Sequence, residues 1–110
     1  MTGPARPAMT VDFDADLWRW DARRDSWIFV SLPADLADDV LDRTVAAGAP
    51  PRGFGAVRVE VALGSTTWRT SIFPDSTRRT YVLPVKGAVR AAERVTVGDT
   101  VHLRVRLVDL

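Results

Sequence analysis

One pattern occurs twice in this chain of 110 residues and restricts the folds that it can adopt. A strand-like stretch ends in Leu-Pro and leads into a helix-like stretch, first in WIFVSLPADLADDV and again in RRTYVLPVKGAVRAA, with the Leu-Pro pairs 51 residues apart. Proline has no backbone N–H and therefore ends a strand. Another strand-like segment follows each helix, GAVRVEVAL and GDTVHLRVRL. We predict two pseudo-repeated halves of the order strand, strand, helix, strand.

Alternating apolar residues mark the individual strands. Residues 11–17 alternate apolar with acidic side chains, and residues 27–32 form a second strand that stops at Pro33. The polar stretch 21–25 between them predicts a turn, so the two strands form a hairpin. Residues 80–83 and 101–107 predict two more strands on the same grounds.

Helical spacing replaces strand spacing after each Leu-Pro pair. In the first helix the predicted buried stripe is Leu36, Val40, Leu41 and Val45, with the aspartates facing water. In the second helix the predicted buried stripe is Val85, Ala88, Ala92 and Val95, with Lys86, Arg90 and Arg94 outside.

Gly64-Ser65 predicts a two-residue hairpin turn, which fixes the register of the strands on either side. The apolar face then pairs Leu63 with Thr66, Val61 with Trp68, Val59 with Thr70 and Val57 with Ile72. The other face pairs Ala62 with Thr67, Glu60 with Arg69, Arg58 with Ser71 and Ala56 with Phe73. Glu60 gives Arg69 a structural partner, whereas this register gives Arg58 none.

Two three-stranded halves would leave open sheet edges, and closing them into one barrel removes those edges. The predicted fold is mainly β with two short helices, a six-stranded closed double-split-like β-barrel over residues 10–110, after a disordered tail at residues 1–9. The unit YVLPVKGAVRAAERVTVGDTVHLRVRL is similar to the half-barrel of AbrB-like swapped-hairpin transcription factors.

Five ordered segments carry a second resemblance: DADLWRW, WIFVSLP, RGFGAVRVEVALGSTTWRTSIFPD, YVLPVKGAVRAAE and VGDTVHLRVRL. Together they resemble the bacterial and archaeal family called domain of unknown function 1905. The resemblance covers nearly everything after the N-terminal tail. It implies the barrel and brings no reaction, ligand or catalytic residues.

Charge and composition narrow the function classes. The chain has no cysteine, which excludes disulfides, thiolate nucleophiles and zinc-thiolate sites. It has no apolar run long enough to span a bilayer, and we predict a cytoplasmic monomer with no cofactor or metal. Residues 1–51 hold nine acids against five arginines, and residues 52–110 hold ten basic residues against five acids. That asymmetry favours an anionic partner for the second half.

Several candidate sites have an ordinary structural explanation. Asp12, Asp14 and Asp16 resemble the start of a calcium loop, but Leu17 and Arg23 stand where glycine and glutamate are required. On a strand these carboxylates suit cross-strand arginines such as Arg104 or Arg106.

The only histidine, His102, has no predictable carboxylate to orient it as a base. Among the tryptophans, Trp27 and Trp68 are expected in the core, and Trp18 and Trp20 are expected to be partly exposed.

The predicted ligand site lies in residues 52–110, which we call the basic half. PPRGFG predicts a glycine-rich loop with Phe54 packed beneath it and Arg52 beside it, but without phosphate-loop spacing. The candidate ligand-binding residues are Arg52, Arg58, Ser71, Tyr81, Lys86 and Arg90.

Three function classes follow, in this order of preference. The first is a non-enzymatic binding module for a small anionic ligand or an acidic protein surface. The second is an AbrB-like DNA-binding regulator, which the net charge of +1 and the acidic half disfavour. The third is an enzyme, which ranks last because the sequence contains no coherent catalytic constellation.

Overall fold

The computed structural model describes residues 9–20, 27–46 and 55–108. Seven strands and two helices lie in these ranges. The strands are β1 (Thr10–Asp16), β2 (Trp18–Trp20), β3 (Trp27–Ser31), β4 (Val57–Leu63), β5 (Thr66–Asp75), β6 (Thr80–Pro84) and β7 (Thr100–Leu107). The helices are α1 (Ala34–Ala46), between β3 and β4, and α2 (Gly87–Glu93), between β6 and β7.

The strands form one antiparallel sheet in the order β1-β7-β4-β5-β6-β3-β2, curved into an open half-barrel. The predicted closed barrel of six strands is therefore wrong. The predicted first strand divides at Leu17, because β1 pairs with β7 whereas β2 pairs with β3. The hairpin with β3 exists, but β2 rather than β1 forms it, and its predicted turn at 21–25 lies outside the described residues.

The β4–β5 hairpin has the predicted register from the Leu63–Thr66 pair to the Val57–Ile72 pair. Gly64 has φ of +58°, a left-handed conformation that glycine adopts without steric cost. Arg69 Nε lies 3.5 Å from Glu60 Oε2, so the predicted structural ion pair is confirmed. The predicted pair of Ala56 with Phe73 is absent from the described ladder, since β4 begins at Val57.

The strands that follow the two helices lie side by side in the sheet. β7 lies between β1 and β4, and β4 lies between β7 and β5, so each is inserted among strands of the other predicted half. This arrangement is compatible with an internal duplication, which stays a prediction.

The core lies on the concave side of the sheet and is entirely apolar among the described residues. Alternate residues of β4 and β7 supply much of it, including Val59, Val61, Leu103 and Val105, each fully buried. Burying such a side chain stabilises the fold by about 1.5–3 kcal/mol relative to leaving it exposed. Met9, within the predicted tail, packs against this core and accepts a hydrogen bond from the Leu107 N–H. The rest of that tail, residues 1–8, lies outside the described residues.

Each helix buries only part of the predicted stripe. In α1 Val40 is buried and Leu36 packs against the core, as predicted. Ala37 is buried instead of Leu41 and Val45, which are 52% and 72% exposed. The Ala37 N–H donates to the Pro33 carbonyl, so the first helical hydrogen bond of α1 starts directly at the Leu-Pro pair.

The second helix begins later than predicted. The Val85 N–H donates to the Ile28 carbonyl, which ties this residue to β3 and places it before the helix. Val85 is buried and Val95 packs against the core, as predicted, but both lie outside α2. Within α2 the buried residue is Val89, whereas Ala88 and Ala92 are exposed. Neither α1 nor α2 is long and apolar enough to cross a membrane.

Candidate functional site

A cleft opens where β5 and β6 separate. Their ladder pairs Asp75 with Thr80, Pro74 with Tyr81 and Phe73 with Val82, and does not extend further. Continuing that register would place Pro84 opposite Ser71. Proline has no N–H to donate to Ser71, so the second Leu-Pro pair ends the ladder at this position. We call the resulting gap the β5–β6 cleft.

The β5–β6 cleft has a volume of about 430 Å³ and mainly apolar walls. The apolar lining consists of Trp27, Ile28, Phe73, Pro84 and Val85. Thr70, Lys86, Gly87 and Arg90 complete the lining. A concave, mainly apolar site with a few polar groups is the usual form of a small-molecule site.

Lys86 and Arg90 give the cleft its positive charge. The Arg90 Nε donates to the Val85 carbonyl at 3.1 Å, which holds the half-buried guanidinium beside the cleft. Lys86 is exposed at the residue before α2. In the described part of the chain, neither cation forms an ion pair with a carboxylate. The cleft therefore offers an apolar wall and two positive charges to the same ligand.

Beside the cleft lies the aromatic shelf, which we define as Trp18, Trp20, Trp27 and Phe29. The β2–β3 register pairs Trp18 with Phe29 and Trp20 with Trp27, which places all four rings on the outer face. Trp18 and Trp27 stack on Phe29 with ring centroids 5.3 and 6.1 Å away. Offset aromatic pairs of this kind contribute about 0.5–1.5 kcal/mol beyond burial.

Exposure differs along the aromatic shelf. Trp20 and Trp27 are 38% and 56% exposed, so the expected partial exposure of Trp20 is confirmed and the core placement of Trp27 is wrong. Ile28 and Val30 take the inward positions of β3, and alternation directs Trp27 to the outer face.

Trp68 packs against the core as expected, although its buried indole N–H has no hydrogen-bond partner among the described residues.

An arginine covers the other end of the aromatic shelf. The Arg78 guanidinium carbon lies 4.0 Å from the Trp18 ring centroid and 5.3 Å from that of Trp20. Its Nη1 donates to Asp75 Oδ2 at 2.8 Å, and the Asp75 side chain is only 7% exposed. Burial alone would raise the pKa of Asp75, but hydrogen bonds from Arg78 and Thr77 and the charge of Arg78 outweigh it and lower that pKa.

This contact predicts a loss of stability in acid. Because the pKa of Asp75 is lower in the folded than in the unfolded state, its contribution is present above its ordinary value of 3.8 and is lost as the pH falls through the lower folded value. We expect Asp75→Asn to reduce stability at pH 7 and to flatten the pH dependence below pH 4. Urea unfolding monitored by tryptophan fluorescence between pH 2.5 and 7 measures how the stability of both proteins depends on pH. An unchanged acid dependence in Asp75→Asn would contradict the assignment.

The cations of β7 are partnered. Arg104 Nε lies 2.9 Å from Asp12 Oδ1, as predicted for that pair, whereas Arg106 Nη2 bonds to Glu60 Oε1 at 3.1 Å. That hydrogen bond, with the charges of Arg106 and Arg69, lowers the pKa of Glu60.

The sequence offered no carboxylate to orient His102, but the structure contains one. His102 Nδ1 lies 2.7 Å from Asp14 Oδ1, so a carboxylate does orient its ring. The β1–β7 register places these two residues opposite each other, and that pairing was not predicted. Both side chains are exposed on the outer face, away from either cleft. Within the described ranges, no three histidine or acidic side chains could together hold a metal ion.

The structure brings together only part of the predicted ligand site. Lys86 and Arg90 line the β5–β6 cleft, and Ser71 lies on β5 between the lining residues Thr70 and Phe73. Arg58 is opposite Ser71 as predicted, but it has an interaction partner and is not a free cation.

The other two predicted residues lie elsewhere. Tyr81 is buried and lines a second cleft of about 310 Å³ between α1 and the β5–β6 turn. Arg52 lies outside the described residues, as does the glycine-rich loop around Phe54.

Sequence reasoning missed the apolar walls of the cleft. Trp27 and Phe73 are absent from the predicted site, yet both are exposed aromatic residues that line it. Alternation in the sequence could have placed both rings on outer strand faces, because Trp27 alternates with Ile28 and Phe73 shares a face with Ser71, but it could not show that the two rings line one cleft.

Comparisons with known proteins locate the chain in a family without adding an activity. No curated protein matches it. The family model described as "Domain of unknown function (DUF1905)" matches residues 13–105, a range that contains every lining residue of the β5–β6 cleft. The match confirms the resemblance carried by the five ordered segments, and the chain belongs to the DUF1905 family.

Proposed function

We propose that this protein is a binding module whose β5–β6 cleft takes a small amphipathic anion. The observation that carries the proposal is the combination of an apolar cleft of about 430 Å³ with Lys86 and Arg90 in its lining. Of the ligand classes predicted for the basic half, a small anion fits this geometry better than an acidic protein surface, because the cleft is concave.

The two parts of the cleft have different physical roles. Transfer of the ligand's apolar part from water to the walls formed by Trp27, Phe73 and Pro84 contributes about 25 cal/mol per Å² of apolar surface. Lys86 and Arg90 orient the anionic end, and partial exclusion of water strengthens their attraction for it. Hydrogen bonds to charged groups contribute about 1.5–3 kcal/mol each. A carboxylate attached to an aromatic or aliphatic group satisfies both parts.

Binding of 1-naphthoate tests the proposal directly. We expect chemical-shift changes on titration at the backbone amides of Thr70, Phe73 and Arg90 and at the Trp27 indole. Lys86→Ala and Arg90→Gln are each expected to weaken binding about tenfold or more, because each removes one charged partner and every 1.4 kcal/mol lost is about a factor of ten in affinity. The neutral analogue 1-naphthalenemethanol is expected to bind the native protein at least tenfold more weakly.

Arg104→Ala is the matched control, because it removes the same charge from the exposed face of β7, far from the cleft lining. It is expected to leave naphthoate affinity unchanged. Equal affinity for naphthoate and its neutral analogue, or shift changes confined to residues outside the cleft, would overturn the proposal.

Duplex DNA is a second titrant in the same experiment. The DNA-binding alternative depends on free cations in the basic half, and four of its arginines, at positions 69, 78, 104 and 106, already pair with acids. Steeply salt-dependent binding of labelled duplex that is lost in Arg90→Gln would favour the regulator over the anion site.

A further inference from the structure

We propose that the anion is the C-terminal carboxylate of a polypeptide, whose last residues pair as an added strand with the free edge of β5. The inference rests on the proposed function of the β5–β6 cleft and names the class of its ligand. Three observations support it: an incompletely paired strand edge beside the cleft, apolar walls at that edge, and two cations that pair with no carboxylate of the described residues.

The strand edge is the first observation. β5 pairs with β4 from Thr66 to Ile72, but on its other side it pairs with β6 only from Phe73 to Asp75. The segment before Phe73 therefore has one strand neighbour in the described structure, and α2 also contacts β5 near Thr66. Such an edge can accept an extended peptide through main-chain hydrogen bonds.

The hairpin turn shows which groups of this edge are available. A two-residue turn makes Leu63 and Thr66 a hydrogen-bonded pair, and such pairs alternate along an antiparallel ladder. Thr70 and Ile72 therefore direct their main-chain groups toward β4, whereas Arg69 and Ser71 direct theirs away from it. No main-chain hydrogen bond on that side joins Arg69 or Ser71 to another described residue.

One end of the edge is closed, which favours a chain terminus over an internal segment. Glu93, at the end of α2, accepts hydrogen bonds from Thr66 Oγ1 at 2.6 Å and Ser65 Oγ at 3.3 Å. This contact blocks the edge at the start of β5, while the part beside Ser71 opens into the cleft. A peptide that enters past Trp27 and Phe73 meets this contact if it continues along β5, so a chain end in the cleft fits better than an internal segment.

The cleft suits the final residue of such a peptide. Side chains of a strand alternate between its two faces, so one terminal side chain enters the apolar walls while its main chain follows the edge. The carboxylate then lies beside Lys86 and Arg90, the charges that complement it. Main-chain hydrogen bonds supply affinity independent of sequence, and the apolar walls select an apolar terminal residue.

Four ligands test the proposal by fluorescence anisotropy or by competition. They are a fluorescein-labelled hexapeptide ending in Ala-Val-Phe with a free carboxylate, the same peptide as the C-terminal amide, the same acid with an N-methyl group on its last amide, and N-acetylphenylalanine. We expect the free acid to bind at least tenfold more tightly than either the amide or N-acetylphenylalanine. N-methylation is expected to weaken binding at least fivefold, because it removes a main-chain donor.

A protein variant tests the edge itself. Ser71→Pro removes an N–H that points away from β4 and therefore leaves the β4–β5 ladder in place. The variant is expected to bind the hexapeptide at least fivefold more weakly than the native protein, while its affinity for naphthoate stays within twofold of the native value. The N-methylated peptide probes the same pairing on the native protein, so the test does not depend on the folding of this variant.

The failures of the two proposals are distinguishable. If N-acetylphenylalanine binds as tightly as the hexapeptide and N-methylation has no effect, the strand-pairing proposal is wrong and the anion site stands. If naphthoate, N-acetylphenylalanine and the hexapeptide all fail to bind, the proposed function itself is wrong. Equal binding of the acid and the amide would show that the carboxylate is not recognised.

Discussion

Replacing Leu17 with alanine is expected to lower the free energy of unfolding by about 3 kcal/mol, within the range of about 2–5 kcal/mol for buried leucines. Leu17 is 2% exposed and stands at the point where the chain leaves β1 for β2. Its N–H donates to the Asp99 carbonyl, and its carbonyl accepts from the Gly98 N–H. Alanine keeps these main-chain bonds, so the expected loss measures the buried side chain. Urea unfolding at pH 7 provides the measurement.

Leu41→Ala is the matched control for this prediction. It makes the same change in a leucine that is 52% exposed on α1, and the expected loss is below about 1 kcal/mol. Leu17→Met, which conserves volume, should also cost less than about 1.5 kcal/mol. Similar losses for Leu17→Ala and Leu41→Ala would contradict the buried position of Leu17.

Gly64→Ala is expected to lower stability by about 2–3 kcal/mol and the melting temperature by on the order of 10 °C. The residue has φ of +58°, which costs a residue with a Cβ about 1–2 kcal/mol. A Cβ there would also lie 1.8 Å from Glu93 Oε1, so the carboxylate must move away and weaken its bonds to Ser65 and Thr66. Calorimetric melting measures the sum of both effects.

Two further variants separate the effects. Gly98 has φ of +93°, and a Cβ added there would have no atom within 4 Å. The stability loss in Gly98→Ala therefore measures backbone strain without a steric clash. Glu93→Ala removes the clashing carboxylate. Adding Gly64→Ala to that variant should then lower the free energy of unfolding only by the backbone strain at position 64. If Gly64→Ala costs as much with Glu93→Ala as without it, the clash contributes nothing.

The β4–β5 hairpin was predictable because local information determined it. The turn at Gly64-Ser65 fixed the register, and alternation from Val57 to Leu63 fixed which face was buried. The ion pair of Arg69 with Glu60 followed from that register alone.

Other features depended on contacts that the sequence does not display. Alternation continues through Leu17 without a break, so nothing local showed that the chain changes partner there. The predicted pairing of the aspartates with Arg104 or Arg106 already made β1 and β7 neighbours, but it did not fix the register that places Asp14 opposite His102. Helical spacing also did not show that Val85 bonds to Ile28 of β3 and precedes α2, because that contact is between distant parts of the chain.

The candidate site was half predictable for the same reason. Lys86 and Arg90 were found from charge, because a cation on a helical stretch is visible in the sequence. The apolar walls were missed because the cleft exists only where the β5–β6 ladder stops after the Phe73–Val82 pair. That relation requires knowing that β5 and β6 are neighbours.

The position of β7 between β1 and β4 has a consequence for how the chain acquires its structure. Thr10 pairs with Arg106, so β1 has no partner in the described sheet until β7 has been synthesised. Contacts of such large sequence separation give a high contact order and slow folding, because loop closure must precede the contacts that offset its entropy. During translation β1 and β4 wait with unpaired edges, and the arrival of β7 completes both pairings at once.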